Sequence, residues 1–279
     1  MQNNNQQLAN IASQVRRDIV RMVHQAGNGH PGGALGCTEL LVLLYFDMMQ
    51  HQKEFVMNGD NEDLFFLSNG HISAVWYSVL ARCGYFPVEE LATHRKIDSR
   101  LQGHPTTHEK LPGIRIASGS LGQGLSVAIG AALTKKLNAD NRWVYVLMGD
   151  GEQQEGQVWE AATFAAHHQV DNLIAFIDLN QQQIDGGTEQ VMANRDLKAK
   201  YEAFGWEVLI CDGNNLEALK ATIQQAQQGQ GKPKMILMQT VMGQGVDFMM
   251  TGHHWHGKAP NTKQTEEALA QLKETLGDF

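Results

Sequence analysis

Two polar side chains that suit a metal ion follow two apolar runs in the middle of the sequence. Asp150 stands between two glycines directly after the run from Trp143 to Met148, and Asn180 directly follows the run from Leu173 to Leu179. Each run is short and rich in β-branched or aromatic residues, and the segment between them has apolar residues at helical spacing. We therefore predict a βαβ unit that brings Asp150 and Asn180 to the same edge of a parallel sheet.

The chemistry of this pair suits a hard cation. A carboxylate, an amide oxygen and nearby backbone carbonyls are good ligands for Mg²⁺, which also takes phosphate oxygens. The glycines around Asp150 let the backbone approach a phosphate, and the Gly151 N–H can donate to it near the start of a helix. A lone Gly-Asp-Gly is more often an ordinary turn, and Asn180 can be a cap. The second strand and the Gln-Ile-Asp-Gly that follows Asn180 favour a metal–diphosphate site.

The same stretch resembles a known cofactor motif. A Gly-Asp-Gly, a helix, a buried strand and an Asn resemble the thiamine diphosphate motif, and GDGEQQEGQVWEA and NQQQIDG resemble the transketolase family in particular. The resemblance runs from about Ser13 to Pro260. It implies that thiamine diphosphate is the cofactor and that Asp150, Asn180 and the backbone carbonyl of Gln182 hold Mg²⁺, with Ca²⁺ or Mn²⁺ as alternatives.

Four histidines occur beside glycine, in words that are expected to form loops or to end an element. They are His30 and His104 in two Gly-His-Pro words, His71 in SNGH and His256 in HG. A single loop histidine is more often solvated, but this shared placement suits side chains that face one cleft. The family resemblance implies that His30 and His256 deprotonate a substrate hydroxyl during carbon–carbon cleavage. It implies that His71 and His104 contact the intermediate or the cofactor, with His256 also beside the cofactor.

The resemblance also implies further contacts in the glycine-rich words. The positions expected to lie beside the cofactor are Gly119, Leu121, Gly151, Glu155 and Asn180. Glu155 and Glu160 match acidic residues that lie between two such domains in the family and relay protons between active sites. Without the resemblance, Glu160 is equally well explained as a solvated carboxylate on a helix.

Two other kinds of site match parts of the sequence less well. Gly122-x-Gly124 resembles part of a dinucleotide fingerprint, but Val127 stands where a third small residue is needed and no clear strand precedes it. His253 and His256 lie close enough in sequence to suggest Zn²⁺, although no cysteine or clear third ligand accompanies them. Neither pattern is as specific as the one around Asp150.

The alternation of strands and helices predicts a single α/β domain over residues 1–279. The resemblance makes this a thiamine-diphosphate-binding fold, with a mostly parallel sheet flanked by helices on both faces. Strands are predicted at 63–67, 143–148, 173–179, 207–211 and 235–240, and helices at 6–25, 38–50, 71–83, 87–94, 194–204, 215–228 and 263–276. The GNGHPGG word and residues 98–117 are predicted to be loops.

Composition excludes several classes of function. The chain has 279 residues and a net charge of −8, which argues against nucleic-acid binding. Its three cysteines form no CxxC pair, which suits a reducing cytoplasm. The polar start MQNNNQQ is unlike a signal peptide, and the longest apolar run, Leu40 to Phe46, is too short to span a bilayer. We expect a soluble cytoplasmic protein with no membrane partner.

The resemblance also implies a partner. A complete transketolase carries a further domain that supplies the glutamate activating the cofactor and basic residues for the sugar phosphate. We therefore expect the N-terminal subunit of a split transketolase, in an α₂β₂ assembly with a separately encoded C-terminal subunit. It would transfer a two-carbon ketol unit from a ketose phosphate to an aldose phosphate, with pentose phosphates as the default substrates. Ser120 and Thr106 depart from the usual family words, which leaves substrate preference open.

Two alternatives remain at this stage. The α subunit of a 2-oxo acid dehydrogenase would share the Gly-Asp-Gly and Asn180, although both Gly-His-Pro words are not expected there. A non-catalytic cofactor-binding protein is the other alternative, and the four intact histidines argue against it.

Overall fold

A five-stranded parallel sheet forms the centre of the computed structural model, which describes residues 4–279. The first three residues of the polar start lie outside the described part. The strands of the main sheet, in the order β1-β2-β3-β7-β6, and of a small hairpin have these bounds: β1 Leu64–Leu67, β2 Val144–Gly149, β3 Leu173–Leu179, β4 Gln182–Gln183, β5 Gly186–Gly187, β6 Glu207–Asp212 and β7 Lys234–Gln239. The predicted α/β fold is confirmed.

Ten α-helices surround the sheet within the described residues. Their bounds are α1 Asn5–Ala26, α2 Pro31–Gly36, α3 Thr38–Leu43, α4 Ser73–Cys83, α5 Gln123–Leu137, α6 Gly156–His167, α7 Thr188–Val191, α8 Leu197–Ala203, α9 Leu216–Gln228 and α10 Thr262–Gln271. Among residues 4–279, no helix combines the length and the apolar character needed to cross a bilayer.

The central strands are buried on both faces, as their continuous apolar runs predict. In β2 the five residues before Gly149 are buried, and in β3 the six residues before Leu179 are buried. The two strands pair in parallel, with Gly149 opposite Asp178. This register brings the residues that follow β2 and β3 to one edge of the sheet, where parallel sheets bind ligands.

The strand order places helices on both faces. The connections from β1 to β2, β2 to β3 and β3 to β6 all move in one direction across the sheet, whereas the connection from β6 to β7 returns. Right-handed crossovers then put α5, α6 and α8 on one face and α9 on the other. The contacts agree, since α5 packs on α6, and α9 packs on α3, which also contacts α1 and α4.

The two ends of the chain differ from the sequence prediction. Arg16 and Arg17 of α1, expected on exposed faces, are buried; Arg16 pairs with Glu39 and Arg17 with Asp278 at 2.7 Å. The last helix ends at Gln271 and not at residue 276. The Arg17 guanidinium donates to carbonyls at the end of α10, and the final residues pack against α1 in an extended course.

Several local elements also differ. Pro31 begins the short helix α2 inside the GNGHPGG word, because proline is well tolerated in the first helical turn. The predicted helix at 38–50 is α3 followed by a π-helical turn, Leu44–Met48. The segment directly after Asp150 is a 3₁₀ turn, Gly151–Gln154, and α6 begins only at Gly156. Residues 98–117 contain no helix or strand, as predicted.

Candidate active site at the carboxyl edge of the sheet

Asp150 is fixed from several sides at the end of β2. Its carboxylate accepts the Gly151 N–H and the Gln181 N–H, each at 2.7 Å, and its side chain is buried. Its backbone carbonyl accepts the side-chain amide of Asn194 at 2.6 Å. Gln181 reaches Asp150 because it takes a left-handed conformation, with φ of 61°, directly after Asn180. The predicted proximity of the segments around Asp150 and Asn180 is therefore confirmed.

Asn180 is oriented by a buried carboxylate that the sequence prediction overlooked. Asp178, in β3, accepts the Asn180 side-chain N–H at 2.8 Å and also the hydroxyl of Thr240. The Asn180 amide oxygen then accepts the Gln182 N–H at 2.9 Å. The signal for Asp178 was present in the sequence, since an aspartate inside an otherwise apolar strand must find polar partners.

Asp150 and Asp178 form a strongly acidic centre. Burial first, and then the charge of Asp178, raise the pKa of Asp150 to about 7. Burial likewise raises the pKa of Asp178. Asp150 has no ion pair with a basic side chain among residues 4–279. Two buried carboxylates without a cation are costly, so this edge of the sheet fits a divalent ion.

Three histidines from separate loops meet in one cluster. The ring centroids of His30 and His71 lie 5.1 Å apart, those of His71 and His256 lie 5.2 Å apart, and those of His30 and His256 lie 5.8 Å apart. His30 precedes α2, His71 follows β1, and His256 lies in the segment after β7. The sheet topology thus brings together side chains that are far apart in the sequence, as predicted.

Burial keeps the histidine cluster neutral. It is the largest cause that lowers the pKa of His30 to about 4 and the pKa of His71 well below its usual value. The mutual repulsion of the imidazoles adds to the effect. The pKa of His256 is lowered in the same direction. The Nδ1 atoms of His30 and His256 are buried without a hydrogen-bond partner, so both rings have capacity left for a ligand.

His104 lies beside the cluster, against the glycine-rich loop of residues 118–122. A Cβ on Gly119 would approach the His104 ring to 2.7 Å, and a Cβ on Gly70 would approach Ser118 to 2.5 Å. These glycines therefore allow the His71 loop, the His104 loop and the glycine-rich loop to pack in close contact. Leu121 lies in the same loop and is half-buried. The loops form a cradle of backbone next to the histidines.

Glu152 and Asn69 are further site residues that the sequence prediction overlooked. The buried carboxylate of Glu152 accepts the N–H groups of Gly122 and Gly149 and the hydroxyl of Ser68, so it ties three loops together. The side-chain oxygen of Asn69 is buried without a partner close to Gly149. A buried orphan acceptor beside the cradle is consistent with a ligand that completes the site.

The remaining predicted residues differ in their surroundings. Gly151 donates its N–H to Asp150 and not to open space, because the turn after β2 is a 3₁₀ turn. Glu155 and Glu160 are both exposed, and Glu160 lines an apolar groove of about 410 Å³ between α5 and α6 with Ile129 and Phe164.

The two alternative site patterns are less well supported by geometry. The rings of His253 and His254 contact each other at 4.3 Å, whereas His256 faces His30 and His71. Across the described residues, no three His, Cys, Asp or Glu side chains converge as a metal-binding set. The predicted set around Asp150 is of another kind, because it draws on an amide and a backbone carbonyl.

Comparisons with known proteins agree with this geometry. One relative, from the apulose-4-phosphate transketolase of Actinobacillus succinogenes, is named as one of that enzyme's subunits; it is 38% identical over 269 residues, which cover 96% of each chain. The 6-deoxy-6-sulfo-D-fructose transketolase subunit SqwG of Clostridium sp. is 38% identical over 272 residues, covering 95% of this chain and 96% of the relative. Both are similar to this chain over nearly its whole length.

Structural and family comparisons lead to the same place. The transketolase from Leishmania mexicana superposes with a TM-score of 0.90 at 27% identity, and the match covers all of this chain and 42% of that one. Residues 7–278 match the family described as transketolase, thiamine diphosphate binding domain. The chain therefore belongs to the transketolase family, as a subunit that corresponds to its thiamine diphosphate binding domain.

Proposed function

We propose that this chain is the N-terminal half of a two-subunit transketolase that moves a two-carbon ketol unit from a ketose to an aldose. The observation that carries the proposal is the meeting of His30, His71 and His256 beside the acidic edge formed by Asp150 and Asp178. Neutral imidazoles suit hydroxyl and proton chemistry, and the acidic edge suits a metal that carries a diphosphate.

The cofactor site is assigned by the fit of its donors. Asp150, Asn180 and the Gln182 carbonyl would hold Mg²⁺, for which Ca²⁺ or Mn²⁺ could substitute. Gly119, Leu121, Gly151, Glu155, His71 and His256 would line thiamine diphosphate. The buried orphan oxygen of Asn69 and the uncompensated charge of Asp150 support this assignment. When bound, thiamine diphosphate supplies the nucleophilic carbon for cleavage of a ketose.

The histidines would handle the protons. The lowered pKa of His30 and of His256 leaves each ring neutral at pH 7, so each can accept a proton from a substrate hydroxyl. His71 and His104 would donate hydrogen bonds to substrate oxygens or to the cofactor. Burial of the cluster excludes water, which strengthens these hydrogen bonds.

The partner and the assembly are inferred from the relatives and from exposed surface. The two relatives that match this chain over nearly its whole length are named as subunits of transketolases. We infer a separately encoded C-terminal subunit and an α₂β₂ assembly in a reducing cytoplasm, with Glu155 and Glu160 at the interface. The exposed apolar groove beside Glu160 supports an interface on that face.

The substrates are inferred as sugars with an anionic end. The relatives are named for apulose 4-phosphate and 6-deoxy-6-sulfo-D-fructose, so these ketoses join pentose phosphates in the panel to be tested. The alternative of a 2-oxo acid dehydrogenase α subunit is not favoured, because the family match and the relatives are transketolases. A non-catalytic role is not favoured either, since the histidine cluster is intact.

The test uses the chain co-purified with the product of a neighbouring coding region that encodes the second half. With thiamine diphosphate and Mg²⁺, the pair should transfer ketol units from at least one ketose of the panel, while the chain alone should show little or no turnover. Ordinary turnover by the chain alone would contradict the split-subunit proposal. Decarboxylation of a 2-oxo acid by the pair, without ketol transfer, would favour the first alternative.

A further inference from the structure

Arg95 joins the two Gly-His-Pro loops. Its Nη1 donates to the side-chain oxygen of Asn28 at 3.1 Å, next to the loop of His30. Its Nη2 donates to the carbonyl of Gly103 at 3.3 Å, next to His104. One guanidinium therefore bridges two segments that are separated by more than 70 positions in the chain.

The bridge has little freedom to move. A Cβ on Gly103 would approach the central carbon of the Arg95 guanidinium to 2.8 Å, so the planar group lies directly against the glycine backbone. Arg95 itself has a left-handed backbone with φ of 60°, and its N–H donates to the Leu101 carbonyl at 2.9 Å. A non-glycine residue in this conformation is strained, and such strain clusters at functional sites.

The charge of Arg95 is not neutralised. Within residues 4–279 it forms no ion pair, and its Nε is buried without a hydrogen-bond partner. The charge acts on the histidines instead: after burial and His256, it lowers the pKa of His30, and after burial it is the next cause that lowers the pKa of His104. An arginine that only secured a surface loop would more commonly be paired with an acid.

We propose that Arg95 is a positioning residue for the ketol transfer proposed above, which fixes the distance between the two Gly-His-Pro loops and directs its positive charge at His30 and His104. The proposal rests on the proposed function for its catalytic consequence, but not for its geometry. The other titratable groups that face these residues are His71 and His256 around His30, and Tyr77 and His94 around Arg95.

Two variants separate the bridge from the charge. Arg95→Gln removes the charge and keeps a shorter amide donor, whereas Arg95→Lys keeps the charge and loses the planar fork. Arg100→Gln is the matched control, because Arg100 lies five positions along the same segment but is paired with Glu90 at 2.7 Å. All three variants are compared with the unchanged chain for thermal stability.

The first readout does not require activity. Imidazole titration by NMR on this chain should show that Arg95→Gln raises the pKa of His30 and of His104, because removal of a nearby cation favours the protonated ring. Arg95→Lys should leave the titration nearer to the original, and Arg100→Gln should leave it unchanged. Unchanged titration of both histidines in Arg95→Gln would overturn the proposal.

The second readout is the pH profile of the assembled two-subunit enzyme. Arg95→Gln should lower kcat by about tenfold to a hundredfold through misplaced histidines, and the acidic limb should move to higher pH. Arg95→Lys should lower kcat with little movement of that limb. A loss of thermal stability with an unmoved limb would mean a merely structural role and would overturn the proposal. Absence of ketol transfer in the unchanged complex would instead contradict the proposed function, and the titration would still decide the role of Arg95.

Discussion

Asp150 and Asp178 lie at the ends of neighbouring parallel strands, and the charge of Asp178 adds to burial in raising the pKa of Asp150 to about 7. Two carboxylates so placed repel each other unless a cation lies between them or a proton binds. This relationship explains why the edge of the sheet should bind a metal–diphosphate, and it leads to the first prediction.

Asp150→Asn keeps the size of the side chain and removes its charge. We expect the assembled complex to bind thiamine diphosphate in the presence of Mg²⁺ at least about tenfold more weakly, since the amide cannot replace a carboxylate ligand. Isothermal titration calorimetry measures the affinity. Asp196→Asn is the control, because Asp196 is exposed at the start of α8 and asparagine caps helices equally well. Equal affinities for the two variants would contradict the metal assignment.

His30→Ala should impair chemistry more than binding. Loss of a proton acceptor should lower kcat of the assembled enzyme by about a hundredfold or more, with cofactor affinity close to the original. His254→Ala is the matched control, because His254 is exposed and contacts His253 outside the cluster of His30, His71 and His256. The assignment of His30 fails if its variant retains full kcat, or if only cofactor affinity changes.

Glu152→Gln should destabilise the fold. The carboxylate accepts hydrogen bonds from Ser68, Gly122 and Gly149, and a glutamine would turn an N–H towards at least one of these donors. We expect a loss of about 2–3 kcal/mol in the free energy of unfolding, measured with urea. Glu189→Gln, on the exposed surface of α7, should change it by less than about 0.5 kcal/mol. Similar values for both variants would show that Glu152 does not secure the loops.

Asp278 should make the stability of the chain end depend on pH. Its hydrogen bond with Arg17 is the largest cause that lowers the pKa of Asp278 to about 2. A carboxyl with a lowered folded pKa contributes fully above its unfolded pKa, and the contribution is lost as the pH falls through the folded value. Asp278→Asn should therefore cost about 1 kcal/mol at pH 7, allowing for screening by water, and less as the pH falls from about 4 towards 2. Urea unfolding across this range measures the difference, with the more exposed Glu274→Gln as the control; a cost independent of pH would contradict it.

Local sequence patterns predicted the sheet because its strands carry continuous apolar runs. Each predicted strand overlaps an observed strand, and the meeting of the segments after β2 and β3 follows from the handedness of a βαβ unit. The histidine cluster was predicted only through repeated Gly-His words and the family resemblance. No periodicity indicates that the loops of His30, His71 and His256 meet, since that depends on the packing of α1, α2 and the segment after β7.

Long-range polar contacts are what the sequence could not provide. Asp178 and Glu152 acquire their roles from partners that lie tens of residues away, such as Thr240 and Ser68. Arg16 and Arg17 were expected to be exposed because charged residues usually are, and the structure buries them with Glu39 and Asp278. The end of α10 depends on the same arginine, so its boundary could not be read from helical periodicity alone.

The most direct test of the central claim is anomalous diffraction from crystals of the assembled two-subunit complex grown with thiamine diphosphate and Mn²⁺. We expect one strong Mn²⁺ peak at coordination distance from the side chains of Asp150 and Asn180 and the carbonyl of Gln182. A cofactor-loaded complex with its metal peak elsewhere, or with Asp150 and Asn180 turned away from it, would contradict the assigned site.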